Sequence, residues 1–252
     1  MTEEIVYDCR LSSDVDDKFI ADYISVANAV FHGNFVRDEF DNMYLRNIYG
    51  DSVIVVVYIN GTPSAVRALW RNDIEGREAY QLCNVCVLEA YRGRGLITGM
   101  TKRAMSMVNS GALFYSYPNT QAYPIYLSKG WKLIKSYYLR LLISNRKYRE
   151  EHPFDADTRY VDWCIKYKPG TYYIKRGSAY YLVCKHPRPL CYEVFSRVSR
   201  SDALKFKKLS NIAFVFYNTT EKTWYNKSFV PLHVMANTDD VHYLTVWKMD
   251  SL

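Results

Sequence analysis

The sequence predicts an α/β protein with a mixed sheet in its first 144 residues and a smaller, β-rich region after them. Three observations lead to this prediction. Strand-like and helix-like hydrophobic patterns alternate up to Ser144. A buried-strand pattern, Leu82–Leu88, runs into a glycine-containing loop and then into a helical pattern that opens at Leu96. After a charged stretch, Asn145–Asp157, most hydrophobic runs are short and strand-like.

The first elements are a strand and two helices. Glu4–Leu11 predicts the strand, and Ser12–Asp14 is suited to cap the helix that follows. A second helix is predicted over Val36–Ile48. The first helix has apolar residues at helical spacing, namely Phe19, Ile20, Tyr23, Ile24, Ala27, Val30 and Phe31.

A hairpin and the central strand come next. Asp51–Ile59 predicts a strand, Asn60-Gly61 is a strong hairpin-turn signal, and Ser64–Trp70 returns as the partner strand. Glu78 then leads into the central strand, which begins at about Gln81.

The loop after the central strand has the layout of an anion site. Glycine lets the backbone approach a ligand closely, and the unpaired N–H groups of a first helical turn attract negative charge. Gly93–Thr98 is therefore predicted to cradle a pyrophosphate, although an ordinary glycine-capped turn fits this fragment equally well. The glycine spacing matches neither a P-loop nor a dinucleotide-binding fingerprint.

A second conspicuous stretch, Ser116–Trp131, follows a short apolar strand. Asn119 ends that strand, Tyr126 comes seven residues later on a predicted helix, and Lys129–Trp131 closes the helix with a glycine cap. A further strand, or a bent pair of strands, is predicted over Lys132–Ser144.

Together these stretches, VCVLEAYRGRGLI and SYPNTQAYPIYLSKGW, resemble the GCN5-related N-acetyltransferase (GNAT) family. The family's phosphate-loop pattern falls on Arg92, Gly95 and Ile97, where Ile97 replaces the usual small residue. Its second pattern falls on Asn119, Ala122, Tyr126, Gly130 and Trp131. The element order β-α-α-β-β-β-α-β-α-β is also that of the family. The resemblance implies the GNAT acyl-CoA acyltransferase fold over residues 1–144.

The resemblance further implies acetyl-CoA as the acyl donor. The backbone of the central strand would bind the pantetheine arm, and the loop would bind the phosphates. The implied cofactor-binding residues are Val85, Cys86, Val87, Arg92, Gly93, Arg94, Gly95, Leu96, Ile97, Thr98, Asn119 and Tyr126.

Two residues are candidates for proton transfer. The resemblance makes Tyr126 the candidate general acid, which would protonate the departing thiolate; the alternative is a tyrosine of the hydrophobic core. Many relatives carry a glutamate on the central strand, and the nearest one here is Glu78, which would act through water. The alternatives are that Glu78 is a solvated loop residue or that no dedicated base is needed.

The predicted domains are residues 1–144, a linker at 145–157, and a carboxyl-terminal domain at 158–252. The last begins with a strand pattern at Tyr160–Trp163 and contains one helix pattern, Ser199–Ser210. It carries no second glycine phosphate loop, so we expect it to bind no second cofactor. A degenerate second GNAT-like half and a plain β-rich accessory domain both fit.

Composition restricts the compartment and the partners. The net charge is +7, of which residues 151–252 contribute +5 from 15 Lys/Arg and 10 Asp/Glu. No apolar run is long enough to span a membrane, and Met1–Ile5 is acidic where a signal peptide would be basic, so a cytoplasmic location is expected. Cys83 and Cys86 form a C-x-x-C, but residues three apart in a regular strand face opposite sides, so no metal site is predicted.

Three functions are compatible with these features. The first is an N-acetyltransferase acting on a primary amine of a small acceptor such as an amino sugar. The second is an acyltransferase acting on a protein amine or a nucleic-acid base, with the basic, aromatic carboxyl-terminal region as its docking surface. The third is a non-catalytic protein that keeps the cofactor fold. The oligomeric state is left open.

Overall fold

The structure is a computed structural model that describes residues 3–74, 76–143, 158–168, 170–185, 190–210, 213–223 and 232–238. These residues fall into two compact units. The first comprises the described residues of 1–117, 130–132 and 236–238, and the second comprises the others. The predicted linker at 145–157 and a strand predicted at Tyr243–Met249 lie outside the described residues. The domain boundaries at 144 and 158 stay predictions.

The chain begins with the predicted order of elements. The strands are β1 (Ile5–Leu11), β2 (Val53–Ile59), β3 (Thr62–Arg71), β4 (Ala79–Val87), β5 (Leu113–Ser116) and β6 (Lys132–Leu141). The helices are α1 (Asp17–Phe31), α2 (Arg37–Phe40), α3 (Leu96–Met105) and α4 (Tyr123–Ser128). The β-α-α-β-β-β-α-β-α-β order is confirmed.

The remaining described elements are mostly strands. They are α5 (Thr158–Tyr167), β7 (Thr171–Arg176), β8 (Ala179–Lys185), β9 (Cys191–Val198), α6 (Arg200–Ala203), β10 (Lys207–Lys208), β11 (Phe214–Thr219) and β12 (Leu232–Ala236).

The sheet of the first unit is mixed. Strands β1 to β4 pair antiparallel in chain order, and β5 joins β4 in parallel. Its centre is apolar, since Val53–Val57 is fully buried, and α1 and α3 pack against β3. The β2–β3 hairpin turns at Asn60-Gly61, both with positive φ (49° and 78°), as the sequence predicted.

The sheet of the second unit has the strand order β12-β6-β11-β9-β8-β7-β10. Strands β7, β8 and β9 are consecutive antiparallel neighbours, and the predicted turn at Gly177-Ser178 joins β7 to β8. Its core contains Tyr181, Val183 and Val215, each at most 1% exposed. Hydrophobic alternation on these strands therefore reflects a packed core.

The starts and ends of the first two helices differ from prediction. Asp16 caps α1 by accepting a hydrogen bond from Phe19 N at 2.8 Å, whereas Ser12–Asp14 forms a short 3-10 turn. The second helix begins at Arg37, widens into a π-turn over Asp41–Leu45 and ends there. It stops short of Ile48 because the Asn47 side chain accepts from Tyr49 N and donates to Arg71 O.

The carboxyl-terminal region contains a helix that sequence reasoning missed. The strand predicted at Tyr160–Trp163 is wrong, because these residues lie in α5. Tyr160, Val161 and Cys164 are buried on one face of α5, as residues three to four apart on a helix are. The helix predicted over Ser199–Ser210 is only the short α6, and Lys207-Lys208 pairs with β7 instead.

Cys83 and Cys86 lie on the same face of β4, so the prediction that they face opposite sides is wrong. Cys83 pairs with Ala68 and Cys86 with Val66, so three steps along β4 match two steps along β3. This β-bulge adds one residue, and the two thiols consequently lie on the same face of the sheet. Both are buried free thiols. Among the described residues, no group of three or more His, Cys, Asp or Glu side chains could hold a metal ion.

Candidate active site

The loop after β4 is hydrogen-bonded to β3 at its start and ends at the first turn of α3. Leu88 N donates to Ser64 O at 3.0 Å, and Glu89–Tyr91 forms a 3-10 turn. Gly93 and Gly95 then adopt positive φ values of 79° and 73°, which glycine permits at no steric cost. Gly95 is the N-cap of α3, so the loop ends where the helix begins, as the sequence predicted.

The first turn of α3 presents free N–H groups. The first backbone bond of the helix runs from Gly99 N to Gly95 O at 3.1 Å, and helix geometry leaves the N–H groups of Leu96, Ile97 and Thr98 without backbone acceptors. A Cβ added at Gly93 or Gly95 would meet nothing within 4 Å. The cradle is therefore open, and its N–H groups and helix dipole fit a phosphate group.

Two arginines border this loop. Arg92 Nε donates to Val87 O at 3.3 Å, and the Arg94 guanidinium lies 5.2 Å from the centre of the Tyr91 ring and forms an ion pair with Glu3. Ile97, the residue that departs from the family pattern, is 36% exposed. Its side chain is thus directed away from the core that Leu96 fills.

The pairing between strands β4 and β5 ends before the loop. Their pairing extends only from Ala79–Gln81 to Leu113–Tyr115, and Ser116 Oγ then donates to Leu82 O at 3.2 Å. Farther along, Cys86 and Val87 pair with β3 only, among the described strands. The side of Val85–Val87 that faces away from β3 therefore offers backbone groups to a bound ligand.

The β-bulge lies at this opening, and it holds a residue that sequence reasoning did not assign to the site. Asn84 has a φ of 45°, and its Nδ2 donates to the Tyr44 hydroxyl at 2.8 Å. That hydroxyl lies 3.2 Å from the hydroxyl of Tyr23, whose burial raises its pKa well above the usual value. An asparagine inside an apolar strand pattern is a usable signal, because asparagine is disfavoured in strands and tolerates positive φ.

Glu78 lies at the other end of β4. It precedes Val87 by nine residues, which corresponds to about 25–30 Å along a strand. Its Oε1 accepts from the Tyr80 hydroxyl at 2.9 Å and lies 3.2 Å from Arg71 Nη1. Burial and the bond to Glu78 raise the pKa of Tyr80 to about 12, so that phenol stays protonated. The structure does not bring Glu78 to the loop.

Asn119 and Tyr126 belong to the second unit. Asn119 Oδ1 accepts from Gln121 N at 3.1 Å and from Ala122 N at 2.9 Å, while its carbonyl accepts from Tyr123 N at 2.9 Å. It thus anchors the backbone that leads into α4. Tyr126 lies half-buried on that helix, and Gly130, with a φ of 79°, follows the helix as predicted.

A histidine contacts the same helix. The His233 ring stacks on Tyr123 with 4.4 Å between ring centres, and its Nδ1 lies 2.9 Å from Ser136 Oγ. Burial lowers the pKa of His233, which favours the neutral ring at pH 7. No sequence spacing singles out this residue, because strand pairing brings Ser136 and His233 together.

Comparisons with known proteins agree with this fold. Residues 13–134 match the family described as Acetyltransferase (GNAT) domain. A GCN5-related N-acetyltransferase structure from Anabaena variabilis matches with a TM-score of 0.57 at 10% identity, covering 92% of this chain and 72% of that one. Another from Kribbella flavida matches with a TM-score of 0.53 at 14% identity, covering 91% and 71%. No curated protein sequence matches significantly.

At these identities the structural likeness concerns the fold, and it extends beyond residues 13–134 in both cases. In the described part of the chain, no helix is both long and apolar enough to cross a membrane.

Proposed function

We propose that the protein transfers an acetyl group from acetyl-CoA to a primary amine, from the premise that residues 13–134 match the GNAT acetyltransferase domain family. The acceptor class that we propose is a small molecule such as an amino sugar, attacked directly while donor and acceptor are both bound. The observation that carries the proposal is the open glycine loop ahead of α3, which follows directly on Val85–Val87, where β4 pairs with β3 but no longer with β5. We also propose a cytoplasmic location, which six free cysteines support.

The residues present fit the proposed donor. The N–H groups of Leu96, Ile97 and Thr98 would hold phosphate oxygens, and Gly93 and Gly95, whose positive φ favours glycine, place no side chain in their way. The backbone of Val85–Val87 would bind an extended chain as a neighbouring strand does. When bound, acetyl-CoA supplies an acetyl group activated as a thioester.

Backbone donors are well suited to the transfer itself. N–H groups fixed by strand geometry stabilise developing negative charge on oxygen without reorganising, and the bulge at Asn84 fixes their direction. Because Asn84 Nδ2 is held by Tyr44, the amide oxygen of Asn84 has a defined direction, and it would accept a hydrogen bond from the acceptor amine.

We assign proton transfer as follows. Tyr126 donates the proton that the leaving thiolate needs, a role that rests on its place in the family motif. Glu78 is engaged with Arg71 and Tyr80, and we propose that it has a structural role and that the acceptor amine loses its proton to water.

An amine screen tests the proposal. Purified protein is incubated with acetyl-CoA and a panel of amino sugars, polyamines and peptide amines, and release of free thiol is measured. Tyr126→Phe keeps the ring and removes the hydroxyl, so turnover should fall about 10²–10⁴-fold with little change in acetyl-CoA affinity. Tyr123→Phe, on the same helix, is the matched control. Turnover within a few-fold of wild type in Tyr126→Phe would show that the proton comes from elsewhere.

The steady-state pattern tests direct attack. Double-reciprocal plots at several acceptor concentrations should intersect, as they do when both substrates are bound together. Parallel lines would indicate a covalent acetyl-enzyme and would contradict this part of the proposal.

A macromolecular acceptor is the second candidate, and a specific observation favours it. Basic side chains Lys175, Arg197 and Arg200 border one cavity of the second unit. Competition of a folded protein or an oligonucleotide with the small amine for acetylation, lost at high salt, would support this candidate over the first.

A further inference from the structure

The second unit contains a cavity that acetyl transfer to a small amine does not use. It has a volume of about 480 Å³ and lies beside the β7–β8 hairpin, the end of β9 and the start of α6. The lining residues are Lys175, Ser178, Ala179, Tyr180, Arg197, Val198 and Arg200. This volume is within the range of small-molecule sites, which is about 300–1,000 Å³.

The strand register explains why these residues meet. Lys175 pairs with Tyr180 across β7 and β8, and Tyr180 pairs with Val198 across β8 and β9. Directly paired residues lie on the same face of a sheet. The three side chains therefore form a row across the floor of the cavity, and the hairpin turn brings Ser178 to its edge.

The charged groups that line the cavity are all positive among the described residues. Lys175, Arg197 and Arg200 contribute three cations, and no carboxylate of the described residues lines it. The nearby carboxylate of Asp202 is engaged elsewhere, since its oxygens lie 2.9 Å from Lys205 Nζ and 2.8 Å from Ser199 Oγ. A cleft lined by charges of one sign concentrates ions of the opposite sign.

Two of these cations have no carboxylate partner among the described residues. Arg200 is exposed, and Lys175 Nζ contacts only the Tyr180 ring, at 5.6 Å from its centre. Like charges that converge without a counter-ion repel one another, and a bound anion relieves this repulsion. Guanidinium groups pair with phosphate through parallel N–H bonds, whereas the lysine acts as a point charge.

We propose that this cavity, which we call the hairpin site, binds a phosphorylated small molecule. Arg200 holds the phosphate oxygens, Lys175 adds charge, and the Ser178 hydroxyl donates at the edge. Tyr180 and Val198 supply an apolar surface for the organic part of the ligand. The hairpin site is distinct from the glycine loop, since none of its residues lies in the first unit.

Titration calorimetry with ADP and with inorganic pyrophosphate tests the hairpin site. The full chain carrying Gly95→Glu is used, so that binding at the glycine loop is weakened and the heat measured at low probe concentration comes from the hairpin site. Both probes should bind. The single variants Lys175→Gln and Arg200→Gln should each raise the Kd about tenfold, as loss of a charge-assisted hydrogen bond does. The double variant should abolish measurable binding.

The matched control is Lys166→Gln. Lys166 lies 5.6 Å from the centre of the Tyr167 ring, the same arrangement as Lys175 over Tyr180, but it does not line the cavity. Its substitution should leave the Kd unchanged. Melting temperatures of all variants check that each one folds.

Three results would overturn the hairpin site. One is the absence of binding heat for both probes in the folded protein. Another is a Kd that rises by the same factor in Lys166→Gln as in the cavity variants. The third is binding of a single-stranded oligonucleotide that neither ADP nor pyrophosphate displaces, because this would make the surface a nucleic-acid interface instead.

Discussion

Gly95 is the residue at which the proposed phosphate cradle is most directly tested. It has a φ of 73° and caps α3, and space around its Cα is open. We expect Gly95→Glu to weaken acetyl-CoA binding for two reasons. An L-residue in this left-handed conformation costs about 1–2 kcal/mol of stability. The added carboxylate also enters the space where the phosphate would lie.

The electrostatic part follows from Coulomb's law. A carboxylate about 5 Å from one phosphate charge costs about 1–3 kcal/mol for an effective dielectric constant between about 80 and 20. This corresponds to a Kd about 5- to 150-fold higher. Calorimetry with acetyl-CoA measures it directly, and raising the salt concentration should shrink the effect.

Two controls separate the contributions. Gly95→Gln has nearly the same shape without the charge, so it should lie between wild type and Gly95→Glu. Gly61→Glu introduces the same residue at a φ of 78° with nothing within 4 Å, but in the β2–β3 turn. If the Kd for acetyl-CoA in Gly95→Glu stayed within twofold of that in Gly61→Glu, the cradle would not be the phosphate site.

The other predictions concern β4. Glu78→Gln should lower the free energy of unfolding by about 1 kcal/mol, because the bonds to Arg71 and Tyr80 are weakened. It should change kcat only a few-fold, and a fall in kcat beyond about 100-fold would make Glu78 the base. Asn84→Gly keeps the positive φ and removes the side-chain amide, so the KM for the amine should rise while the affinity for acetyl-CoA stays the same. If the affinities for the amine and for acetyl-CoA fell equally, the substitution would have displaced the strand. Burial raises the pKa of Cys86 to about 12, above that of an unfolded thiol, so its contribution to stability is complete at neutral pH and is lost as the pH rises toward 12. Denaturant midpoints measured from pH 9 to 12 should therefore fall less steeply in Cys86→Ala, and equal slopes would refute this.

Local chemistry explains what could be predicted from the sequence. Asn60, Gly61 and Gly177 specify their hairpins because few other residues accept the positive φ values these turns require. The glycine loop was predictable for the same reason. Gly95 marks both the end of the loop and the start of α3, and those two facts place the N–H groups of Leu96 to Thr98.

Features that depend on pairing between strands were not accessible in this way. The bulge at Asn84 exists because β3 and β4 adopt one particular register, and a single sequence does not contain that register. Glu78 is a candidate base because it lies near the central strand in sequence, whereas its bonds to Arg71 and Tyr80 depend on how the strands pair. The helix over Thr158–Tyr167 was missed because its aromatic and β-branched residues favour strands locally, and packing of Tyr160 and Cys164 decides otherwise.

The single additional residue in β4 has a consequence for how this chain tolerates change. On a regular strand, side chains alternate between two faces, so an extra residue moves every later side chain to the opposite face of the sheet. Cys86 and Val87 owe their orientation to that reversal. Deleting Asn84 would restore the alternation, turn both side chains over and rotate the start of the loop with them. A loss of one residue here should therefore be far more damaging than the loss of several residues in the turn at Asn60-Gly61, and the length of β4 is constrained independently of its composition.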